Sequence, residues 1–245
     1  LAYAGIADCS SWFFMYLDHD RKYLEKSLSA SQKAIELAPE SAEAHSARGL
    51  AISLNKRFQD AEEEFKTSIR LNPNLFVAHY FFARICFIQG KLEKAAELFE
   101  HACKVNPEDY QSPLLLGNTY KGLNHIEKSH SAFRRGLEIT KRHLELNPDD
   151  ARAIYLSAHA LIELGEKEKG LEWANNALAT DPDDPAILYN ISCAYALLGR
   201  EEDAICYLEK SLKNGYASKE WIENDSYLDS IRNHPHFQKV MKTLD

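Results

Sequence analysis

Apolar and polar positions alternate along this chain at helical intervals, and the pattern is cut at regular places. Prolines that follow an apolar stretch fall at Pro39, Pro73, Pro107, Pro148 and Pro182, spaced 34, 34, 41 and 34 residues apart. Four of the five follow Asn or Asp, in RLNP, KVNP, ELNP and ATDP, and the first stands in LAP. Proline stops a helix because it lacks an N–H and restricts the residue before it. A second punctuation runs in phase, at Gly90, Asn124, Gly165 and Gly199, with intervals of 34, 41 and 34. Gly and Asn tolerate the left-handed conformation that ends a helix. Each unit therefore predicts a helix, a tight turn, a second helix and a proline stop.

Side-chain size follows the same period. With units starting at Ala42, Phe76, Tyr110, Ala151 and Pro185, the eighth residue is Gly49, Ala83, Gly117, Ala158 or Ser192. The twentieth is Ala61, Ala95, Ser129, Gly170 or Ala204, and the twenty-seventh is Ser68, Ala102, Gly136, Ala177 or Ser211. All fifteen are small, as paired helices in close approach require. Bulky knobs stand between them: Ile52, Cys86, Tyr120, Leu161 and Tyr195, then Phe65, Phe99, Phe133 and Leu208. The fourth unit has Ala174 at the second knob, with Trp173 beside it.

Two places depart from the period. Seven extra residues lie between Asn124 and Pro148, inside a second helix. Seven residues are about two turns, so the stripe Phe133, Leu137, Leu144 keeps its face and the helix is expected to project roughly 10 Å beyond its neighbours. Residues 1–39 fit a divergent helix pair, with Gly5 as its close-approach residue and about ten extra residues around WFFMYLDHD lengthening the first helix or its turn. Residues 40–216 hold the five regular units, and 217–245 a segment of different rhythm. There Trp221, Ile222, Leu228, Ile231, Phe237, Val240 and Met241 suit short helices laid over the last pair. A stacked array needs such a cap, because its final unit otherwise exposes an apolar face.

A 34-residue helix–turn–helix unit with this register of small residues resembles the tetratricopeptide repeat. The resemblance implies an all-α, right-handed α-solenoid with a C-terminal capping helix, whose concave face is lined by first helices at unit places two, five, nine and twelve. Those places bring Tyr80, Arg84, Phe87, Asn118, Lys121, Arg152, Tyr155, His159 and Tyr189 to one inner surface, with Asn190 next to the last and Cys193 pointing the same way. Aromatics and Arg are the usual anchors of interfaces, and an Asn amide can hold a peptide backbone in two directions. A protein or peptide ligand is the partner these residues suggest. The family's carboxylate-clamp subclass, which binds chaperone C-termini, is a poor match: Asn118 and Arg152 fit singly, but Leu114 takes the lysine place and Leu156 the asparagine place. Ala186 and Asn190 replace its final basic pair.

Composition narrows the field further. The 245 residues carry 29 Lys plus Arg against 37 Asp plus Glu, a net charge of −8, which repels phosphate backbones and weighs against nucleic acid. Five separate cysteines without a CxxC pair read as reduced thiols in a cytoplasmic protein. No apolar run approaches the ~20 residues of a membrane span, so no membrane partner is expected. Phosphate-loop, nucleophile-elbow and HExxH motifs are absent, which argues against an enzyme and against a cofactor. His234 and His236 in NHPHF lack further metal ligands nearby and read as surface or capping residues, while His45 and His79, one unit apart, read as packing.

The stretches YAGIADCSSWFF, PEDYQSPLLLGNTY, HLELNPDDARAIYLSAHAL, DPDDPAILYNISCAYALLG and NDSYLDSIRNHPHFQ are similar to the C-terminal tetratricopeptide region of certain bacterial signalling proteins. In those proteins the repeats follow an adenylate-cyclase-like or serine/threonine-kinase domain, often with a TolB-like segment between. With Leu1 as first residue, the resemblance makes a fragment of a longer chain the expectation. It implies two alternatives to a free-standing interaction scaffold: a regulatory arm acting in cis on an upstream enzyme domain of the same chain, or a self-assembly module forming a weak homo-oligomer. The latter would use the extended helix or the stretch LFVAHYFFARICF.

Overall fold

The computed structural model describes residues 1–16, 20–216 and 218–244. Among them there is no strand. Six helix pairs follow one another: α1 (Ala2–Tyr16) with α2 (Arg21–Leu37), α3 (Ala42–Leu54) with α4 (Phe58–Leu71), α5 (Phe76–Ile88) with α6 (Leu92–Val105), α7 (Gln111–Gly122) with α8 (Ile126–Leu146), α9 (Ala151–Glu163) with α10 (Lys167–Thr180), and α11 (Pro185–Leu197) with α12 (Glu201–Lys213). The chain ends in α13 (Lys219–Asn224), a 3₁₀ segment (Ser226–Ile231), α14 (Pro235–Met241) and a 3₁₀ turn (Lys242–Leu244).

The chain divides into two compact units, Leu1–Cys86 with Glu97–Pro107, and Phe87–Ala96 with Glu108–Asp245. In the first, α1 packs on α2 and α3, and α3 on α4. In the second, α7 pairs with α8, α9 with α10 and α11 with α12, while α9 also lies beside both α7 and α11. First helices thus run side by side.

The local chemistry explains the helices. Ser41, Asp150 and Asp184 cap α3, α9 and α11 by accepting the N–H three residues on. All fifteen small residues of the repeat are buried. A Cβ on Gly49 would stand 2.9 Å from the Phe65 ring, and one on Gly170 2.5 Å from Ile162 Cγ1 and 2.9 Å from the Ala158 carbonyl. Serines among them also bond across three of the pairs: Ser68 donates to the Ala42 carbonyl at 2.7 Å, Ser129 to Gly117 at 2.8 Å and Ser192 to Ala204 at 2.7 Å. Knobs Phe65, Phe99, Phe133 and Leu208 are fully buried.

Turns adopt positive φ at Gly90, Asn124, Gly165 and Gly199, and also at Lys56, with φ 59°. Lys56 holds the turn of the α3–α4 pair, where neither Gly nor Asn marks it. Gly5 meets no heavy atom within 4 Å of a Cβ, so it is not the close-approach residue of the first pair. Ala4, Ala7 and Ser11 take that buried line instead, and Ser11 shares a 2.7 Å hydrogen bond with Ser27. At 15 and 17 residues, α1 and α2 exceed the 13 and 14 of α3 and α4; residues 17–19 of the stretch expected to be longer lie outside the described residues.

Helix α8 has 21 residues against 14 in α10. Its buried line runs through Phe133, Gly136, Ile139 and Thr140, with Leu137 and Leu144 half-buried at the edge. The added turns carry His143, whose Nε2 lies 2.8 Å from Asp150 and whose ring packs on Tyr110 at 4.8 Å. Tyr110 donates to the same carboxylate at 2.9 Å. Burial alone would raise the Asp150 pKa, but its bonds from Ala153 N–H, His143 and Tyr110 outweigh burial and lower it. The extension therefore secures the start of α9.

Candidate functional site: a groove filled by the chain's own tail

Places nine and twelve of the first helices in the second unit form one surface, and the tail lies on it. Asp225 is its centre, 2% exposed and held by neutral donors alone among the described contacts. Oδ1 accepts from Asn118 Nδ2 at 3.1 Å and from Tyr227 N–H at 3.0 Å. Oδ2 accepts from the Tyr189 hydroxyl at 2.8 Å, Trp221 Nε1 at 3.3 Å and, weakly, the Cys193 thiol at 3.9 Å. The Asn118 amide is read in both directions, since its Oδ1 accepts from Ser226 Oγ at 2.7 Å.

Aromatic packing extends this anchor along the face. Trp221 lies 4.8 Å from the Phe87 ring, and Tyr227 4.8 Å from the His159 imidazole. Lys121 pairs with Glu163, and its Nζ sits 5.6 Å from the Tyr227 ring centre. Asn224 donates to the Ile88 carbonyl at 2.9 Å and Ser230 to that of Ala196 at 3.0 Å. The tail thus crosses the end of α5, then α7, α9 and α11, and is not confined to the last pair as its apolar pattern alone suggests. It is internally braced as well. Arg232 donates to the carbonyls of Asp225 at 2.6 Å and Ile222 at 3.3 Å, and its Nε to Asp229 at 2.7 Å.

Protonation states follow from burial. His159 Nε2 faces the Asn190 carbonyl at 2.8 Å; a carbonyl only accepts, so this nitrogen carries the proton. Its Nδ1 is buried without a hydrogen-bond partner, and burial lowers the imidazole pKa, keeping the ring neutral. Burial pushes the Tyr189, Tyr227 and Cys193 pKa values well above their ordinary ranges. Cys193 is therefore a protonated thiol rather than a nucleophile. Among the described residues no group of His, Cys, Asp and Glu could hold a metal ion, and no helix is long and apolar enough to cross a membrane.

The sequence pattern of the tetratricopeptide repeat matches residues 23–76, 55–110, 114–185 and 155–216. The chain belongs to the tetratricopeptide repeat family. Anaphase-promoting complex subunit 3 of Schizosaccharomyces pombe is 22% identical over 144 residues, 59% of this chain and 21% of that protein, so the chain spans about a fifth of its relative's length. Among solved structures, Pseudomonas aeruginosa pilF superposes with a TM-score of 0.57 at 17% identity, covering 91% of this chain and 96% of the other. A chain of the APC/C hetero-tetramer Cut9–Hcn1 gives 0.60 at 14% identity, over 99% of this chain and 52% of that one. A tetratricopeptide repeat protein from Parabacteroides merdae gives 0.54 at 16%, over 99% and 98%.

Within this tetratricopeptide array the candidate residues separate into three groups. Phe87, Asn118, Lys121, His159 and Tyr189 meet the tail. Arg152, Tyr155 and Asn190 bond among the first helices: Arg152 Nε donates to Gln111 at 2.6 Å and Nη1 to the Tyr155 hydroxyl at 3.0 Å, while Asn190 turns back to the Ala186 carbonyl at 2.7 Å. Tyr80 and Arg84 belong to the first unit, where Arg84 Nη1 donates to the Tyr16 hydroxyl at 2.5 Å and lies 5.8 Å from the Tyr80 ring.

Residue-by-residue reading of the first helices missed Trp221, Asp225, Ser226 and Tyr227. The signal for the last three was the NDSYLDSIR wording, in which Asp225 caps the 3₁₀ segment. The paired histidines near the end do cap and pack: His234 is the N-cap of α14, and His236 Nε2 lies 2.9 Å from Glu209. His79 Nε2 contacts the Pro73 carbonyl at 2.8 Å, and His45 repeats this with Pro39 at 2.8 Å.

Proposed function

We propose that the chain is a non-catalytic protein–protein interaction scaffold that takes a peptide or a partner helix along the first-helix face of α7, α9 and α11. Tetratricopeptide arrays serve in general as interaction scaffolds rather than catalysts, and membership of that family supports the coarse reading. The seated tail supports the finer one: here the face holds a polypeptide segment by a buried carboxylate and two aromatic rings. An amide that both donates and accepts, ringed by aromatics, suits peptide recognition and offers no activated nucleophile. Relatives named as parts of an assembly, the anaphase-promoting complex, agree with a scaffold role.

The test is to pan a displayed peptide library on a chain carrying Asp225→Ala, which loosens the tail, beside the same chain with Asn118→Ala added. Peptides enriched on the first and lost on the second are expected. No enrichment, or equal retention on both, would move the function away from this face.

A second reading, self-association, draws on α1, where Tyr3, Ile6, Trp12 and Phe13 are exposed. The LFVAHYFFARICF stretch offers less, since Tyr80, Phe82, Ile85 and Phe87 are buried. Light scattering over a concentration series decides it: a constant monomer mass rules self-association out.

A further inference from the structure

The groove's ligand class is legible from what now sits in it. We infer that residues 219–231 are an intramolecular ligand, and that the face of α7, α9 and α11 selects segments of the form Trp-x-x-x-Asp-Ser-Tyr-Leu, so a partner occupies it by presenting the same carboxylate and aromatics in place of the tail. The inference rests on the reading of that face as a peptide receptor and names the peptide.

Each recognised feature has its own reader. The carboxylate of Asp225 meets Asn118 and Tyr189, both neutral, and takes further hydrogen bonds from its own neighbours Trp221 and Tyr227. Lys121, a cation on the same face, is committed to Glu163. Ser226 answers the Asn118 carbonyl oxygen, so a residue without a hydroxyl leaves that buried acceptor unpaired. The tryptophan packs on Phe87, and the tyrosine enters between His159 and Lys121. Leu228, fully buried, completes the element.

The segment is also built to come and go as a body. Arg232 ties Ile222 and Asp225, and Asp225 caps its own 3₁₀ turn, so part of its order is internal. On its C-terminal side, α14 has separate attachments, His236 to Glu209 and His234 to Glu202 at 3.4 Å. On the other side Gly215, at φ 106°, ends the α12 turn. Once the segment leaves, Asn118 and Tyr189 are uncovered together, which favours replacement by a matching segment over an empty face.

The experiment uses the full chain with a protease site inserted between Gly215 and Ser218, cut after folding, and a fluorescent peptide of residues 219–232. Saturable uptake by the cut chain, and uptake at least about tenfold weaker by the intact chain, is expected because a tethered competitor holds the site. The same peptide with Asp225→Ala should bind at least about tenfold more weakly, the loss expected when hydrogen bonds to a buried charge are removed. A foreign peptide carrying only Trp-x-x-x-Asp-Ser-Tyr-Leu should compete, and a scrambled one should not. Loss of helical signal on cutting, no uptake, or uptake indifferent to Asp225→Ala overturns the inference. If library peptides without this pattern bind the face and depend on Asn118, the receptor reading survives and this ligand class does not.

Discussion

Two asparagines of the candidate groove show how much a side chain's partners matter. The Asn118 side chain pairs with Asp225 and Ser226, whereas that of Asn190 turns back to a carbonyl of its own helix. Asn118→Ala strands a buried carboxylate contact and a hydroxyl and should cost about 3 kcal/mol in a urea melt, against under about 1 kcal/mol for Asn190→Ala. Equal losses would show that the Asp225 network adds nothing. His159 makes a pH-dependent contribution. Its folded pKa is depressed, so it supports folding above the ordinary histidine value of about 6.5 and loses that support as pH falls. Wild type should therefore lose more thermal stability than His159→Gln between pH 7 and pH 5, with parallel curves counting against a buried neutral ring. Both asparagines were visible as polar residues, Asn118 at a groove place and Asn190 beside one, but their partners were not: those of Asn118 lie 107 and 108 residues away.

The helices are legible because their determinants are local. Proline stops, N-caps and small residues each act within one unit, and the period of 34 resumes after the seven residues added to α8. What escaped is also informative. Lys56 adopts a left-handed turn without the Gly or Asn that marks the others, so its place had to be imposed by the pairing of α3 and α4. Relieving that conformation with Lys56→Gly should raise stability by up to about 1 kcal/mol, measured by the urea midpoint. Glycines separate by the same logic. Gly170→Ala drives a methyl into Ile162 and the Ala158 carbonyl and should destabilise by about 1–3 kcal/mol, whereas Gly5→Ala, with open space around it, should stabilise α1 by up to about 1 kcal/mol. A shared sign for the two would contradict the packing described. Gly5 was misassigned because glycine in a helix looks the same in sequence whether it faces a neighbour or open space.

At the scale of the chain, regular units and irregular tail are parts of one device in the second compact unit, where the segment that breaks the repeat is seated on the repeat's first helices. This placement also orders events in time. A ribosome releases α7, α9 and α11 before it releases Trp221, Asp225 and Tyr227, because the chain is made from its N-terminus. Every newly made molecule therefore passes through an interval in which the helices carrying Asn118 and Tyr189 are outside the ribosome and their own ligand is still within it. A partner present at the site of translation meets no competitor then, and one arriving later must displace a tethered rival. Complexes formed with the nascent chain and with the finished protein would differ accordingly, with the history of the molecule written into which segment its groove contains.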